Sequence, residues 1–236
     1  MTNENSGQAE REQQQELRRE YALRFGNQKA YRDAVWKVLT AEFFQPLVGP
    51  QPTLLDLGCG WGEFINNIHA KEKFAMDLNP EAPQHLAANV KFLEQDCSKE
   101  WPLSDGTLDC VFTSNFFEHL PGKDALRSTL LQVERCLRPG GTLICMGPNI
   151  RLLPGAYWDF WDHYLPLTEH SLAEALELFG FRVEQKIGRF LPYKMAGTRP
   201  VPLLFVRCYL KLPLAWRFFG KQFLVLARKR QAHGDD

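Results

Sequence analysis

The sequence predicts an α/β fold, a parallel sheet with helices over both faces, and three observations predict it. Short apolar runs alternate with segments of helical periodicity, the apolar runs are continuous rather than interleaved with polar residues, and the first of them stops at a cluster of glycines. Strands covered on both faces read this way because neither face meets water. A chain of 236 residues suits one elaborated domain or two small ones.

Taken in order, residues 1–16 are rich in Asn, Glu and Gln and too poor in apolar side chains to offset chain entropy, so a disordered lead-in is expected. One domain is expected over 17–230, divided into a helical cap (17–46), a core (53–147) and a second half (148–230). Leu17, Tyr21 and Phe25, then Tyr31, Val35, Val38, Leu39 and Phe43, recur at helical spacing with a break near Gly26 and Asn27. They predict two helices, the second ended before Pro46. Pro50 and Pro52 mark a loop, and Thr53–Leu57 is a buried strand. Beyond it the pattern predicts a helix at Glu63–His69, a strand at Phe74–Leu78, a helix at Pro80–Ala88, and strands at Val90–Leu93 and Leu108–Thr113. A helix at Lys123–Leu137, a strand at Thr142–Met146, a helix at Thr168–Phe179 and a strand at Phe181–Ile187 complete the alternation. Arg138-Pro139-Gly140-Gly141 turns helix into strand, and Gly180 caps a helix.

With 44% hydrophobic and 24% charged residues, collagen-like, low-complexity and wholly disordered chains are excluded. Lys and Arg (28) balance Asp and Glu (28), so the molecule as a whole is no obvious polyanion binder. The distribution is lopsided: 182–230 carries 12 basic side chains against Glu184 alone, a net +11. The six cysteines occur singly, never as C-x-x-C, and residues 1–20 are polar, which points to a reducing compartment and a cytoplasmic location. No run approaches the ~20 apolar residues that a spanning helix needs.

Leu54-Leu55-Asp56-Leu57-Gly58-Cys59-Gly60-Trp61-Gly62-Glu63 places a G-x-G-x-G loop between the first strand and the next helix. Ligands of open α/β sheets bind beyond the carboxyl ends of the strands, where strand order reverses. Dinucleotide sites want G-x-G-x-x-G and P-loops a terminal Gly-Lys-Ser/Thr, and neither is present. A ribose diol donates two hydrogen bonds, so a carboxylate at a strand end is its natural acceptor, and Asp77 and Asp96 stand at such ends. Either could instead cap the segment that follows it. A cationic group on such a ligand would be met by aromatic faces, for which Trp61, Phe116 and Phe117 are candidates.

The D-L-G-C-G-W-G segment resembles the first motif of class I S-adenosylmethionine-dependent methyltransferases, and three further motifs agree in order. Asp77 in Met76-Asp77-Leu78 matches the acidic residue that holds the ribose, and Asp96 in Glu94-Gln95-Asp96-Cys97 the one facing the adenine amino group. Ser114-Asn115-Phe116-Phe117-Glu118-His119-Leu120 resembles the fourth motif, and Leu137-Arg138-Pro139-Gly140-Gly141 the helix-to-fifth-strand signature. The resemblance covers 54–146 and implies a Rossmann-like seven-stranded, mostly parallel sheet whose antiparallel last strand, Gln222–Ala227, pairs beside Phe181–Ile187. It implies S-adenosylmethionine as cofactor, held by Asp56, Gly58, Cys59, Gly60, Trp61, Gly62, Asp77, Leu78, Asp96, Cys97, Asn115 and Phe116. Arg24 and Tyr31 of the cap are expected to reach the cofactor's carboxylate. Asp56 holds either the loop or the cofactor's amino group.

Methyl transfer to a hydroxyl needs alignment and a base. His119 is the first candidate, although a histidine here can also simply pack. The second candidates, Asp162 and His163, lie in the run Tyr157-Trp158-Asp159-Phe160-Trp161-Asp162-His163-Tyr164, whose aromatics could stack on a sugar ring or other planar acceptor while Asp159, Asp162 and His163 bond its hydroxyls, or which could form a packed lid helix. A related subset of quinone-precursor O-methyltransferases binds a metal through Glu-x-x-Glu-His, but Asn115 stands at the first glutamate, so no metal is expected. The absence of Asn-Pro-Pro-Tyr after the fourth strand disfavours adenine and glutamine N-methylation, and no nucleic-acid module is visible. Asn115–Pro121, Pro148–Arg151, the aromatic run and Arg189-Phe190-Leu191-Pro192 are similar to bacterial methyltransferases of surface-polysaccharide assembly. The acceptor implied is a small molecule or a glycan hydroxyl on a nucleotide- or lipid-linked sugar. The alternatives are a catalytically silent cofactor-binding protein and an RNA methyltransferase using the basic segment. Cations interleaved with apolar residues over 201–221 suit an anionic membrane surface, a mouth for phosphate-bearing substrates, or a solvated basic face over a packed helix.

Overall fold

The computed structural model describes residues 29–193 and 200–231. Arg24 and the first expected helix fall outside them, as does the lead-in. Seven strands form one sheet in the order β3-β2-β1-β4-β5-β7-β6. They are β1 (Thr53–Leu57), β2 (Glu72–Asp77), β3 (Val90–Glu94), β4 (Leu108–Ser114), β5 (Leu137–Pro148), β6 (Phe181–Ile187) and β7 (Gln222–Lys229). Strands β1 to β5 pair in parallel, whereas β7 runs antiparallel to both β5 and β6. The order reverses between β1 and β4, which puts the switch point at the end of β1.

The helices are α1 (Lys29–Leu39), α2 (Gln45–Val48), α3 (Glu63–Asn67), α4 (Lys123–Cys136), α5 (Glu169–Leu178), α6 (Leu203–Leu210) and α7 (Pro213–Phe219). Alternate strand residues sort the core into two layers. Leu55, Leu57, Val111 and Leu143 pack under α4 and α5 through Leu130, Val133, Leu172 and Leu176. Leu54, Cys110, Phe112 and Ile144 pack on the other face with Val35, Phe44, Phe64, Val206 and Trp216. Thr168 caps α5 by accepting the Ser171 N–H at 3.0 Å.

Three expectations need correction. The helix over 31–44 does not end before Pro46: a π-turn at Thr40–Phe44 joins α1 to α2, and Pro46 sits in the first turn of α2. Gln45 there bonds back to Thr40 O, five residues behind, and a proline in a first helical turn sacrifices no required N–H. The segment Pro80–Ala88 is not a helix. It holds one 3-10 turn, Ala82–His85, with Pro83 in its first turn, and turns extended at Leu86. The aromatic run forms no lid helix but a 3-10 turn at Ala156–Asp159 followed by irregular chain.

Candidate functional site

The site is built where the parallel strands end. The loop after β1 folds back on β2: Gly58 and Cys59 donate their N–H groups to Met76 O at 2.9 and 3.1 Å. Gly60 N–H reaches Asp77 Oδ2 at 2.8 Å, and Asn79 N–H reaches Asp77 Oδ1 at 2.8 Å. Gly58 has φ +71°, and a Cβ there would lie 2.2 Å from the Phe116 ring, so only glycine lets the loop pass under that ring. Asn115, at φ +50°, is the sole non-glycine residue with positive φ among the described residues, and turns β4 into the loop carrying Phe116.

Asp77 is half-buried. Burial pushes its carboxyl up, opposed by the N–H groups of Asn79, Gly60 and Leu78 and by the charge of His119. Each oxygen accepts one backbone bond and keeps lone-pair capacity for a diol. Asn79, fully buried, has an Nδ2 with no acceptor among the described residues, an orphaned donor beside the same carboxylate. Asp96, half-buried past β3, accepts from Ser98 N and Oγ at 2.8 and 2.7 Å on one oxygen, closing a local turn with no helix after it. Leu78 stands 39% exposed at the end of β2.

Other expected donor-site residues divide. Asp56 is buried, and its carboxyl is pushed well up by burial and by Glu63 and Asp77, with the Ile65 backbone bonding to it. Of its two readings, the contact present is the one that holds loop to helix. Cys59 is buried with its thiol pushed up. The Cys97 side chain belongs to the core, bonded by Thr129 Oγ1 at 3.3 Å and pushed up to about 12 by burial, so only its backbone can face a donor. Phe117 is likewise a core residue. Trp61 lies tilted against His85, ring centres 4.7 Å apart, with Lys29 Nζ 5.5 Å from its ring. The Tyr31 hydroxyl both donates to Val201 O and accepts from Val201 N at 2.9 Å, which commits it to the chain at 201 instead of a ligand carboxylate.

On the other side of the switch point, the 3-10 turn Phe117–His119 after β4 meets the aromatic run. His119 Nδ1 lies 2.9 Å from Asp162 Oδ2 and 3.0 Å from Asp162 O. Tyr164 and Leu165 N–H groups close on Glu118 O at 2.8 and 3.0 Å, stapling the run to the turn. Burial lowers the His119 pKa, but the Asp162 hydrogen bond and the Glu118 and Asp162 charges outweigh it, so the imidazole is held above its ordinary value. His163 is buried, stacked on Phe160 at 4.9 Å and edge-on to His119 at 5.1 Å. Tyr157 is buried and donates to Leu165 O at 2.7 Å, whereas Trp158, Trp161 and Tyr164 are 56%, 80% and 55% exposed. The run therefore splits into residues that pack and residues that face outward.

Sequence reasoning does not single out Asn79, and meets Glu118 only as the second glutamate of the Glu-x-x-Glu-His pattern whose first position is Asn115. Glu118 is buried against Gly147 of β5, and one ligand atom each from Glu118, His119 and His163 lie within 4.8 Å of one another, a group that could hold a metal ion. A carboxylate beside a histidine already read as a base was the available signal for Glu118. Asn79 offered none beyond its position after a strand.

A methyltransferase-domain family model matches residues 12–186. The chain belongs to this family. Among curated proteins, it is 30% identical over 144 residues to a probable S-adenosylmethionine-dependent methyltransferase of Mycolicibacterium smegmatis, covering 58% of this chain and 54% of that protein. It is 25% identical over 151 residues to the 2-methyl-6-phytyl-1,4-hydroquinone methyltransferase of Synechocystis, covering 56% and 46%. The chain thus spans about half the length of the curated relatives it matches. Among solved structures, an S-adenosylmethionine-dependent methyltransferase of Archaeoglobus fulgidus aligns with TM-score 0.62 at 22% identity over 84% of this chain and 94% of that one. A chain of the Haloferax volcanii complex between the Trm112 methyltransferase activator and a methyltransferase aligns with TM-score 0.64 at 21% identity over 89% and 96%. The family's methyl donor is S-adenosylmethionine, and the glycine loop under Phe116, the Asp77 carboxylate and the orphaned Asn79 amide fit its nucleoside half.

Proposed function

We propose that this methyltransferase-family chain transfers a methyl group to a hydroxyl oxygen of a small-molecule or glycan acceptor, a nucleotide- or lipid-linked sugar by preference. The single observation carrying the reading is the His119–Asp162 pair, 2.9 Å apart, which joins the turn after β4 to the aromatic run after β5. S-adenosylmethionine supplies, when bound, a methyl carbon made electrophilic by the sulfonium. Gly58, Gly60, Asp77, Asp96, Asn115 and Phe116 would hold it, with Asp77 and Asp96 taking the nucleoside half.

Asp162 accepts the Nδ1 proton of His119 and fixes the tautomer, which leaves Nε2 with the lone pair that takes the acceptor's hydroxyl proton as its oxygen attacks. The imidazolium so formed is stabilised by Asp162 and by buried Glu118. Trp158, Trp161 and Tyr164, all exposed on the segment that carries Asp162, suit stacking against a planar or sugar-ring acceptor. His163 packs His119 in place and acts as a positioning residue. No metal is assigned a role in this scheme.

The test is incubation of the protein with methyl-labelled donor and fractionated bacterial extract. Label entering lipid-linked or nucleotide sugar supports the reading, and loss of that label in His119→Ala with donor binding retained supports the assignment of the base. Label confined to RNA or protein overturns the acceptor class, and donor binding without transfer to any fraction identifies a silent binding protein.

A further inference from the structure

The hairpin of α6 and α7 buries one face and leaves another uncovered by the described residues. Val206, Leu210 and Trp216 anchor it to the core, and Trp216 Nε1 bonds Tyr209 O at 2.8 Å. Outside, Leu204, Phe205, Leu212, Leu214, Phe218 and Phe219 are between 56% and 72% exposed. Single exposed apolar residues are ordinary, but six large ones on two short consecutive helices form a contiguous segment. Helical spacing puts Leu204, Phe205 and Cys208 along one side of α6, and Leu214, Arg217 and Phe218 along one side of α7, with Lys211 and Leu212 in the turn between them. Exposed Lys211, Arg217 and Lys221 rim this surface, beside Arg207, which pairs with Glu42 at 2.8 Å, and no acidic residue occurs in sequence between Glu184 and Asp235. A protein partner of mixed charge would leave those cations unmatched. An anionic lipid surface matches them and takes the apolar side chains at the depth of the headgroups.

We propose that the α6–α7 hairpin seats this protein on the surface of an anionic bilayer. No helix among the described residues is long and apolar enough to cross a membrane, so the hairpin lies in the interface. The fold makes the position useful. The hairpin connects Ile187 at the end of β6 to Gln222 at the start of β7, and Gln222 pairs with Pro148 at the carboxyl end of β5. Asn149 N–H bonds Lys221 O at 3.0 Å, joining the end of the hairpin to the start of the segment that carries Asp162. A bilayer under the hairpin would therefore adjoin the edge of the sheet where the acceptor is read to bind. This deepens the lipid-linked form of the proposed function, but vesicle binding does not require that the acceptor be a glycan, so the two fail separately.

The test is co-sedimentation of the full chain with vesicles of phosphatidylcholine alone and with phosphatidylglycerol added. The protein is expected to pellet with the anionic vesicles, less so as salt rises, and to stay in solution with phosphatidylcholine. Lys211→Glu with Arg217→Glu should lower the vesicle-bound fraction about fivefold or more for each charge removed. Leu204→Ser with Phe218→Ser should abolish pelleting while methyl-donor affinity by calorimetry stays unchanged, which shows that both variants fold. Failure to pellet with anionic vesicles at low salt overturns the proposal. So does binding that survives both double variants, or a dimer in solution that both variants dissociate, which would make a second copy the occupant.

Discussion

His119 and Asp162 stand 43 residues apart yet share a bond that decides the protonation of the imidazole. Because Asp162 and Glu118 hold the folded-state pKa above the ordinary 6.5, the stability contributed by the pair is fully present below 6.5 and fades as pH rises through the raised value. Catalysis runs the opposite way, since the base must be neutral. Methyl transfer to a hydroxyl should rise with pH through an inflection above 6.5, and Asp162→Asn should shift the inflection downward while cutting the rate. A pH–rate profile at saturating donor checks both. The facing charges are Glu118 on the same turn, Asp162 on the aromatic run and Asp77 on β2, and donor binding near Asp77 will move the inflection if it alters that last charge. On the donor side the proposed site is tested at Asp77 and Asp96. Asp77→Ala with Asp96→Ala removes two charge-assisted acceptors, each worth about 1.5–3 kcal/mol, so calorimetry should record at least a hundredfold loss of donor affinity.

At the scale of elements, the glycine loop is the least tolerant. Gly58→Ala would put a Cβ 2.2 Å from the Phe116 ring at φ +71°, so loop or ring must move, at a cost of about 1–3 kcal/mol of backbone strain alone. Donor binding should fall with stability, as urea denaturation and calorimetry on the same variant would record. The turn after β4 yields a second expectation. Glu118, His119 and His163 bring donor atoms within 4.8 Å, but a divalent ion there would claim the same Nε2 that the base reading needs. A chelator should leave the transfer rate unchanged, and added zinc should inhibit it reversibly. Activation by zinc, or loss on chelation, would replace the proton-transfer role of His119 with a metal.

These elements were unequally legible in the sequence. Strands β1 and β4 and the loop after β1 read directly, because continuous apolar runs beside glycines have few other meanings in a sheet covered twice, whereas β6, mostly exposed, read from the glycines on either side of it. Glycine spacing also placed Asp77 at the end of β2 and Asp96 after β3, which is where the strands end. The segment 80–88 misled because Ala82 and Leu86 suggest a helical stripe, while Pro83 and the Asn79 side chain, which accepts the Glu81 N–H at 3.0 Å, settle for a single turn. The His119–Asp162 bond could not be read at all. Irregular chain between β5 and α5 has no periodicity from which to infer which of Asp159, Asp162 and His163 points inward, and the backbone bonds to Glu118 O decide it.

Over the whole molecule, one aromatic cluster ties the N-terminal helices to the sheet. Phe44, fully buried, lies 5.0 Å from Phe112 of β4, 5.9 Å from Phe64 of α3, 6.3 Å from Trp36 of α1 and 6.3 Å from Phe190 ahead of the hairpin. Phe64 and Phe112 stack at 3.6 Å, so the helix that begins at the glycine loop rests on the strand that leads to His119. A cluster that joins elements so distant in sequence couples their unfolding, because none of them keeps its buried surface once the others leave. Phe44→Ala leaves a cavity at this junction and should cost about 3–5 kcal/mol, with the urea midpoint falling while the slope of the transition is unchanged. Two separated transitions in place of one would show that the N-terminal helices and the sheet melt independently. In that case Phe44 would be packing local to the cap, and the donor loop and the acceptor edge would not share the mechanical base that this cluster gives them.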